Sequence, residues 1–180
     1  MSVKKFILEM LETFFSSAVV LFVIYMWIAM PELVFGASME PNFHTGQRIL
    51  VEKVTKHFKD FERGEVVVLN PPGNDNIDYI KRVIGLPGDV VKIKDCGVYI
   101  YTDGKGYKLQ EDYLTDGICT TDGPSMKEGR SVRIEDGYYF VLGDNRTESA
   151  DSRVFGLVKA DRMLGRVVFR FWPIDKAGLL

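Results

Sequence analysis

A charge-free run near the N-terminus constrains this chain more than any other feature. The run extends from Thr13 to Pro31 and reads TFFSSAVVLFVIYMWIAMP. As a helix, its 19 residues would reach about 28 Å, close to the roughly 30 Å hydrocarbon core of a bilayer. We therefore predict a transmembrane helix at residues 13–31, preceded by a short cytoplasmic N-terminus at 1–12 and followed by an exported domain at 32–180.

The charges on either side of the run predict its orientation. Lys4 and Lys5 precede it and the first cation after it is Arg48, so the positive-inside rule places the N-terminus in the cytoplasm. A cleavable signal peptide is the alternative, because Val34 and Gly36 are small enough to precede a cleavage site. Length favours the anchor, since a secretory apolar region has about 7 to 15 residues. Both alternatives export the bulk of the chain.

Composition limits the partners and cofactors that the chain can have. The net charge is −2 and the Lys and Arg residues are scattered, which argues against nucleic acid as a partner. His44 and His57 are the only histidines and no metal-ligand spacing occurs, so we predict neither a metal nor a cofactor. Cys96 and Cys119 lie in the exported region, where both a disulfide and two unpaired thiols remain open.

Beyond the anchor, short runs rich in β-branched and aromatic residues alternate with clusters of Gly, Asp, Asn and Pro. This pattern predicts one mostly β domain. Only Asp95-Cys96 separates two of the runs, which indicates a tight hairpin. Residues 102–130 are rich in Gly and Asp and poor in aliphatic residues, so we expect a surface excursion there. The predicted strands are 48–54, 65–69, 78–85, 89–94, 97–101, 131–135, 138–142 and 163–172.

The stretch GASMEP places Ser38 in a sharp turn between Gly36 and Pro41. A serine in such a loop is ordinarily a turn residue, but the same geometry could expose its hydroxyl as a nucleophile. Six residues separate Ser38 from the end of the charge-free run. At about 3.3 Å per residue, Ser38 then lies within about 20 Å of the bilayer edge, so any chemistry there takes place near the membrane surface.

Lys81 interrupts an apolar row in the predicted strand DYIKRVIG. Strand alternation puts Lys81 on one face and Arg82 on the other. The Lys81 ammonium could reach water from an edge strand while its stem packs, or the whole side chain could be buried. Burial lowers a lysine pKa; a decrease of about 2 costs about 2.7 kcal/mol but makes an appreciable fraction of the amine a base. Arg82 cannot act in this way, because a guanidinium stays protonated.

A third polar segment, GDNRTESADSR at 143–153, follows the predicted strand 138–142. Its first three residues favour a turn, and Asp151 could close the loop with Arg146 or Arg153 at little energetic gain. The same serines, aspartates and arginines could instead orient a catalytic amine through hydroxyl and carboxylate contacts. Both interpretations of this segment remain open at this point.

Taken together and in this order, the three segments resemble the bacterial type I signal peptidase family, the membrane-bound Ser-Lys endopeptidases. GASMEP (36–41) resembles the nucleophile box of that family, YIKRVIGLPGD (79–89) its lysine box, and GDNRTESADSR (143–153) its third box. Each segment is modest alone. Their order behind one anchor makes the combination specific.

The resemblance implies roles for individual residues. Ser38 would be the nucleophile, and Lys81 the general base that takes its proton and returns it to the leaving amine. Ser149 would orient the lysine amine, while Asp151 and Arg153 would form a supporting ion pair. The acyl-enzyme would form on Ser38 and be hydrolysed by water that Lys81 activates.

Two further residues of the third segment, Asp144 and Arg146, would hold the loop in place. The resemblance is incomplete at Gly36, where many relatives have a serine whose hydroxyl joins the nucleophile's backbone N–H in the oxyanion hole. Losing such a donor typically costs about 3 to 4 kcal/mol of transition-state stabilisation. A backbone amide of the turn would therefore have to serve as the second donor.

The resemblance also implies the fold and the partners. The family fold is an all-β assembly of antiparallel sheets, here behind one N-terminal transmembrane helix. The partners would be the lipid bilayer and the signal peptides of exported preproteins, which the family cleaves after small residues, typically Ala-x-Ala. An extended peptide can pair with a sheet edge while small side chains enter shallow pockets. By position, the pocket residues would be Val34, Met39, Phe43, Tyr79 and Ile80.

Two other functions compete with this interpretation. The first is a non-enzymatic, membrane-tethered exported β domain that binds a partner; it predicts that Ser38→Ala and Lys81→Met leave activity intact. The second is a Ser-Lys autoprotease of the repressor type, which uses the same pair of residues. That class would carry a DNA-binding helical unit where this chain has an apolar run, so membrane fractionation distinguishes the two.

Overall fold

The computed structural model describes residues 3–127 and 129–180, and it begins with a long helix. Helix α1 covers Val3–Val23, and a single π-helical segment, Ile24–Ile28, continues it. The helix therefore starts earlier than the predicted 13–31 and ends before Pro31. It starts early because no Gly or Pro occurs between Val3 and Met30 to break it. All described residues of α1 are exposed, and the helix is long and apolar enough to cross a membrane.

The last part of the charge-free run is a strand instead of a helix. Strand β1, Ala29–Leu33, pairs antiparallel with β2, Arg48–Glu52, from Ala29 opposite Glu52 to Leu33 opposite Arg48. The residues that would follow a cleavage site in the signal-peptide alternative thus come directly after a strand of the sheet. Removing that strand would expose the edge of β2, so the pairing argues for a retained anchor.

The strands that follow the helix form two antiparallel sheets, which confirms the predicted all-β class behind one helix. The larger sheet has the order β1-β2-β11-β3-β4-β9-β10, with β12 paired to β11, and the smaller sheet has the order β7-β6-β5-β8. The remaining elements are β3 (Val66–Leu69), β4 (Tyr79–Gly85), β5 (Val90–Lys94), β6 (Gly97–Thr102), β7 (Lys105–Lys108), β8 (Ser131–Arg133), β9 (Tyr138–Leu142), α2 (Ser152–Phe155), β10 (Val158–Lys159), β11 (Met163–Trp172) and β12 (Gly178–Leu179).

All eight predicted runs contain a strand, and the tight hairpin is confirmed. Strands β5 and β6 pair with Lys94 opposite Gly97, and the two turn residues, Asp95 and Cys96, have φ values of 48° and 58°. Such a turn, with φ positive at both central residues, matches the twist of paired strands. Cys96 also forms a disulfide with Cys119, which resolves the alternative that the sequence left open.

Buried side chains form separate apolar clusters, and one of them underlies the turn that carries Ser38. That cluster packs residues of the β1–β2 turn and of β2 against residues of β3 and β11. Each buried member is at least nine-tenths buried. Close packing of this kind fixes the positions of the loops above it. Its buried members are Val34, Met39, Phe43, Ile49, Val51, Val66, Val68 and Val167.

The described residues of 102–130 lie mostly at the surface, but two side chains among them are buried. Thr120 is 2% exposed and Met126 is 1% exposed. Met126 packs in the cluster that joins the smaller sheet to β4 and β9. The segment is therefore part of the folded core at its far end.

Candidate active site

The turn that carries Ser38 lies between β1 and β2 and is held by backbone and hydroxyl contacts. Gly36 has a φ of +89°, in the left-handed region that favours glycine. Its N–H donates to Thr45 Oγ1 at 3.0 Å, and the N–H of Glu40 donates to the carbonyl of Ala37 at 3.1 Å. These contacts present the half-buried Ser38 side chain toward β4.

Lys81 on β4 reaches the Ser38 hydroxyl directly. Its Nζ lies 2.8 Å from Ser38 Oγ and 2.8 Å from the carbonyl oxygen of Ile80, and 5.0 Å from the centroid of the Tyr79 ring. The side chain is 2% exposed, so the buried alternative for Lys81 applies. Both hydrogen-bond partners are uncharged groups, which offer the amine little stabilisation of a positive charge.

The environment of Lys81 favours its neutral form. Burial lowers the pKa of Lys81 from 10.5 to about 8, although the negative charges of Asp151 and Asp144 raise it in part. The nearby Arg153 charge lowers the pKa further. Near pH 8 about half of the amine is then neutral, whereas an ordinary lysine is well under 1% neutral. The amine can therefore accept the proton of the adjacent hydroxyl.

An ion pair closes the loop at 143–153. Arg153 and Asp151 interact through two hydrogen bonds of 2.8 Å, with both side chains almost fully buried. Asp151 Oδ2 also accepts from the N–H of Gly143 at 3.1 Å, which joins the two ends of the loop. Because this charge pair is buried and hydrogen-bonded on several sides, removing one partner would leave an uncompensated buried charge.

Asp144 and Arg146 also hold the loop, but through different partners. Asp144 is fully buried and pairs with Arg82 through hydrogen bonds of 2.8 and 2.6 Å. Arg146 donates to the carbonyl of Gly143 at 3.1 Å and forms an ion pair with Glu111. The loop is thus tied to β4 at one point and to the excursion at another.

Ser149 lies near the backbone of Ser38, next to Gly143, and makes no hydrogen bond to the Lys81 amine. Its Oγ is buried and has no hydrogen-bond partner among the residues that the structure describes. A Cβ at Gly143 would collide with Ser149 Oγ and with the carbonyl oxygen of Ser38. Only glycine at position 143 therefore lets this loop approach Ser38 so closely.

Asn145 links the loop directly to the turn that carries Ser38, and sequence reasoning did not single it out. Its backbone N–H donates to the carbonyl of Ser38 at 3.0 Å, and its Nδ2 donates to the carbonyl of Ala37 at 3.1 Å. The backbone N–H of Ser38 has no acceptor within residues 3–127 and 129–180. The N–H of Gly36, in contrast, donates to Thr45 Oγ1.

A cavity of about 390 Å³ lies over Ser38 and Lys81. Of the five residues predicted to line pockets, Val34, Tyr79 and Ile80 line it, together with Ile49 and Val68. The other two predicted residues, Met39 and Phe43, are each 1% exposed and pack in the apolar cluster below the cavity. Alternation in the turn was not visible in the sequence, so surface and core positions could not be distinguished there.

Acidic side chains surround the cavity but do not form a metal site. Glu32, Asp78 and Glu148 all line it. Burial and the charge of Asp78 raise the pKa of Glu32. No group of three or more His, Cys, Asp or Glu side chains within the described ranges could hold a metal ion.

Comparisons with known proteins agree on one family. The family model for signal peptidase, peptidase S26, matches residues 7–172, which include all three polar segments. Signal peptidase IB of Staphylococcus aureus (strain COL) is 40% identical over 183 residues, covering 96% of this chain and 93% of the relative. A probable signal peptidase I-2 of Synechocystis sp. is 36% identical over 178 residues, covering 96% and 77%. A crystal structure of a signal peptidase I from Enterococcus faecalis V583 is 31% identical with a TM-score of 0.49, covering 61% of this chain and 97% of that one.

Proposed function

Since the chain belongs to the signal peptidase family, peptidase S26, whose members are serine peptidases that remove signal peptides, we propose that Ser38 is its nucleophile and Lys81 its general base. The observation that carries the proposal is the 2.8 Å contact between Lys81 Nζ and Ser38 Oγ, with the lysine buried and its pKa lowered to about 8. A neutral amine at this distance is within reach of the proton it must accept.

The reaction proceeds in two halves. Lys81 takes the proton of Ser38 as Oγ attacks the scissile carbonyl carbon, and it returns that proton to the nitrogen of the leaving peptide. Water then attacks the acyl carbon as Lys81 accepts one of its protons; the bond from that carbon to Ser38 Oγ breaks, Lys81 returns the proton to Oγ, and the acyl product leaves with a new carboxyl group. The free N–H of Ser38 stabilises the negative oxygen in both halves.

The loop at 143–153 keeps the pair aligned during these steps. The Asp151–Arg153 ion pair, Asp144 and Arg146 fix the loop, and Ser149 orients the amine of Lys81 once substrate occupies the cavity. The support for this last role is that Ser149 Oγ is buried beside the pair with a free hydrogen-bonding capacity. Catalytic hydrogen bonds often tighten only in the substrate complex.

The cavity supports a preference for small side chains next to the cleaved bond. Val34, Tyr79 and Ile80 line part of the cavity that also holds Ser38, and Ala37 and Ala150 line it as well. We expect preproteins with Ala-x-Ala before the cleavage site to fit, because larger side chains would collide with these walls. Met39 and Phe43 would not contact the substrate; they would support the cavity by packing in the apolar cluster below it.

The anchor places this chemistry at the membrane. The family is membrane-anchored, and α1 is long and apolar enough to span a bilayer. With Lys4 and Lys5 on the cytoplasmic side, the catalytic domain lies on the extracytoplasmic side, where signal peptides emerge. Enzyme and substrate are then confined to one lipid plane.

A cleavage assay tests the proposal. The full chain, purified in mild detergent, is incubated with a preprotein carrying an Ala-x-Ala site, and with the same preprotein carrying Leu or Phe in place of the final Ala. We expect cleavage of the first substrate only. Ser38→Ala and Lys81→Met should both be inactive while keeping the wild-type circular dichroism spectrum.

The same experiment decides against a non-enzymatic role. Cleavage that survives Lys81→Met in a folded protein would exclude a lysine base. Failure of the wild-type protein to cleave any preprotein, together with binding that is unchanged in both variants, would favour a tethered binding domain.

A further inference from the structure

The part of the excursion at residues 109–126, here called the strap, is closed onto the smaller sheet at its far end. The Cys96–Cys119 disulfide links it to the β5–β6 turn, and the N–H of Thr120 donates to the carbonyl of Cys96 at 3.2 Å. Two independent links therefore fix Thr120 in space. Its side chain is buried and faces the loop at 143–153.

The first contact of the strap with the catalytic loop is made through Arg146. Arg146 Nη1 donates to Thr120 Oγ1 at 2.5 Å and to Glu111 Oε2 at 3.0 Å, and Nη2 donates to Glu111 Oε1. The Arg146 side chain is fully buried, so these acceptors replace its hydration shell. On its other side, Arg146 Nε donates to the carbonyl of Gly143.

The second contact reaches the strand that carries the general base. The Tyr113 ring lies 4.0 Å from the guanidinium carbon of Arg82, which neighbours Lys81 in sequence. The carbonyl of Tyr113 accepts from Asn42 Nδ2 at 2.7 Å, and the same amide group donates to Asp144 at 2.9 Å. One strap residue thus braces the Arg82–Asp144 pair and the turn after Ser38.

We propose that the strap is a positioning element of the reaction, in which Glu111, Tyr113 and Thr120 hold the loop and the strand that bring Lys81 to Ser38. This inference rests on the proposed function, because it assigns these residues to that same site. None of the three touches the reacting atoms, so each acts through Arg82 or Arg146. The path continues to the nucleophile by the hydrogen bond from Asn145, adjacent to Arg146, to the carbonyl of Ser38.

The expected failure is specific. If the Arg146 contacts are lost, a buried guanidinium loses its partners and the loop must move to rehydrate it. Water then reaches Lys81, and partial solvation restores the charged form of its amine. Binding of substrate in the cavity is less affected, because the strap residues do not line it. The defect therefore falls on kcat and on its pH dependence more than on KM.

A matched pair of variants at position 120 tests the inference in the full chain in detergent, with a preprotein peptide as substrate. Thr120→Val removes the hydroxyl with almost no change in shape, and Thr120→Ser keeps it. We expect Thr120→Val to lower kcat about tenfold with KM within about twofold, and Thr120→Ser to retain about half or more of the wild-type kcat.

A second pair uses the neighbouring acids Glu111 and Asp112. Glu111→Gln should lower kcat about tenfold and shift the acidic limb of its pH profile upward by about half a pH unit. Asp112 is exposed and bonds only Gln110 within the described residues, so Asp112→Asn should match the wild-type protein in both measurements. Wild-type kcat and pH profile in both Thr120→Val and Glu111→Gln would overturn the proposal.

Amide hydrogen exchange separates this inference from the proposed function. If the wild-type protein cleaves no preprotein, the proposed function fails, and the strap is then judged by exchange alone. Faster exchange across residues 143–153 in Thr120→Val, but not in Thr120→Ser, supports the strap. Equal exchange in the two variants contradicts it.

Discussion

Strand β4 presents two neighbouring cations to opposite sides of the larger sheet, and the two sides treat them differently. Lys81 faces the cavity and bonds a hydroxyl and a carbonyl. Arg82 faces the other side, where it pairs bidentately with the buried carboxylate of Asp144 and stacks on Tyr113. Burial therefore lowers the pKa of Lys81 to about 8. The guanidinium of Arg82 instead forms an ion pair with the carboxylate of Asp144.

The comparison shows that burial alone does not determine the role of a basic side chain. A buried cation beside a carboxylate is a structural ion pair. A buried lysine among uncharged groups loses part of its hold on the proton and becomes available as a base. The two sides of one strand can therefore be tested against each other.

The largest expected effect is on activity, on the cavity side. Lys81→Met should lower kcat by about 10⁴-fold or more, because no other group is placed to take the proton of Ser38. Ser38→Ala should have the same effect, and the double variant should be no worse than either single variant. Additive losses in the double variant would show that the two residues do not act as a pair.

The next largest expected effect is on the free energy of unfolding, for a substitution of Arg82 on the face of β4 opposite Lys81. Arg82→Met leaves Asp144 buried without its charge partner and should destabilise the protein by about 3 to 5 kcal/mol. The free energy of urea unfolding of the full chain in detergent measures this loss. Adding Asp144→Asn should restore part of it, and a neutral result for Arg82→Met alone would contradict the comparison.

A smaller effect of opposite sign is expected for the stability of Lys81→Met. A pKa of about 8 in place of 10.5 means that the folded state destabilises the charged lysine by about 3 kcal/mol below pH 8. Removing the amine relieves that cost but loses a hydrogen bond of about 1 kcal/mol, for a net gain of about 2 kcal/mol.

The sign of this gain depends on pH. It should be fully present below about pH 8 and disappear as the pH rises toward 10.5, because the unfolded lysine is then neutral as well. Unfolding measurements at pH 6.5 and pH 10 test this. A destabilised Lys81→Met at the lower pH would indicate that the amine is charged and paired in the folded protein.

The last expected effect is the pH dependence of the wild-type enzyme. Since only the neutral amine accepts a proton, kcat/KM, which reports the free enzyme, should rise about tenfold per pH unit at acidic and neutral pH and level off above about pH 8. Steady-state kinetics between pH 6 and pH 9.5 measure the profile. A flat profile over this range would argue against Lys81 as the base.

Local pattern in the sequence was sufficient for eight of the twelve described strands and for the two faces of β4. Period-two alternation put Lys81 and Arg82 on opposite faces, and each predicted run contains a strand. The local pattern did not predict that Lys81 is buried, because the turn at Ser38, which contacts the lysine amine, is 43 positions away in the sequence. Alternation specifies a face but not what lies above it.

The missed features have the same cause. Glu111 and Arg146 are 35 positions apart, so no local pattern predicts their ion pair or the role of the strap. Strand β1 was missed because Ala29 and Met30 are as apolar as the helix before them, and only pairing with β2 makes them a strand. Met39 and Phe43 were assigned to pockets because a turn has no periodicity that separates core from surface.

The N-terminal helical segment, which ends at Ile28, passes directly into strand β1 without a linker. Strand β1 begins at Ala29, directly after Ile28, and the N–H of Lys53 on the neighbouring chain segment donates to the carbonyl of Ile28 at 2.9 Å. A catalytic domain joined to its anchor by a long flexible linker would sample many distances from the membrane surface. We therefore expect the short connection to hold the cavity at a defined distance from the membrane, so that the spacing between a preprotein's apolar core and its cleavage site becomes a length to which the enzyme is sensitive.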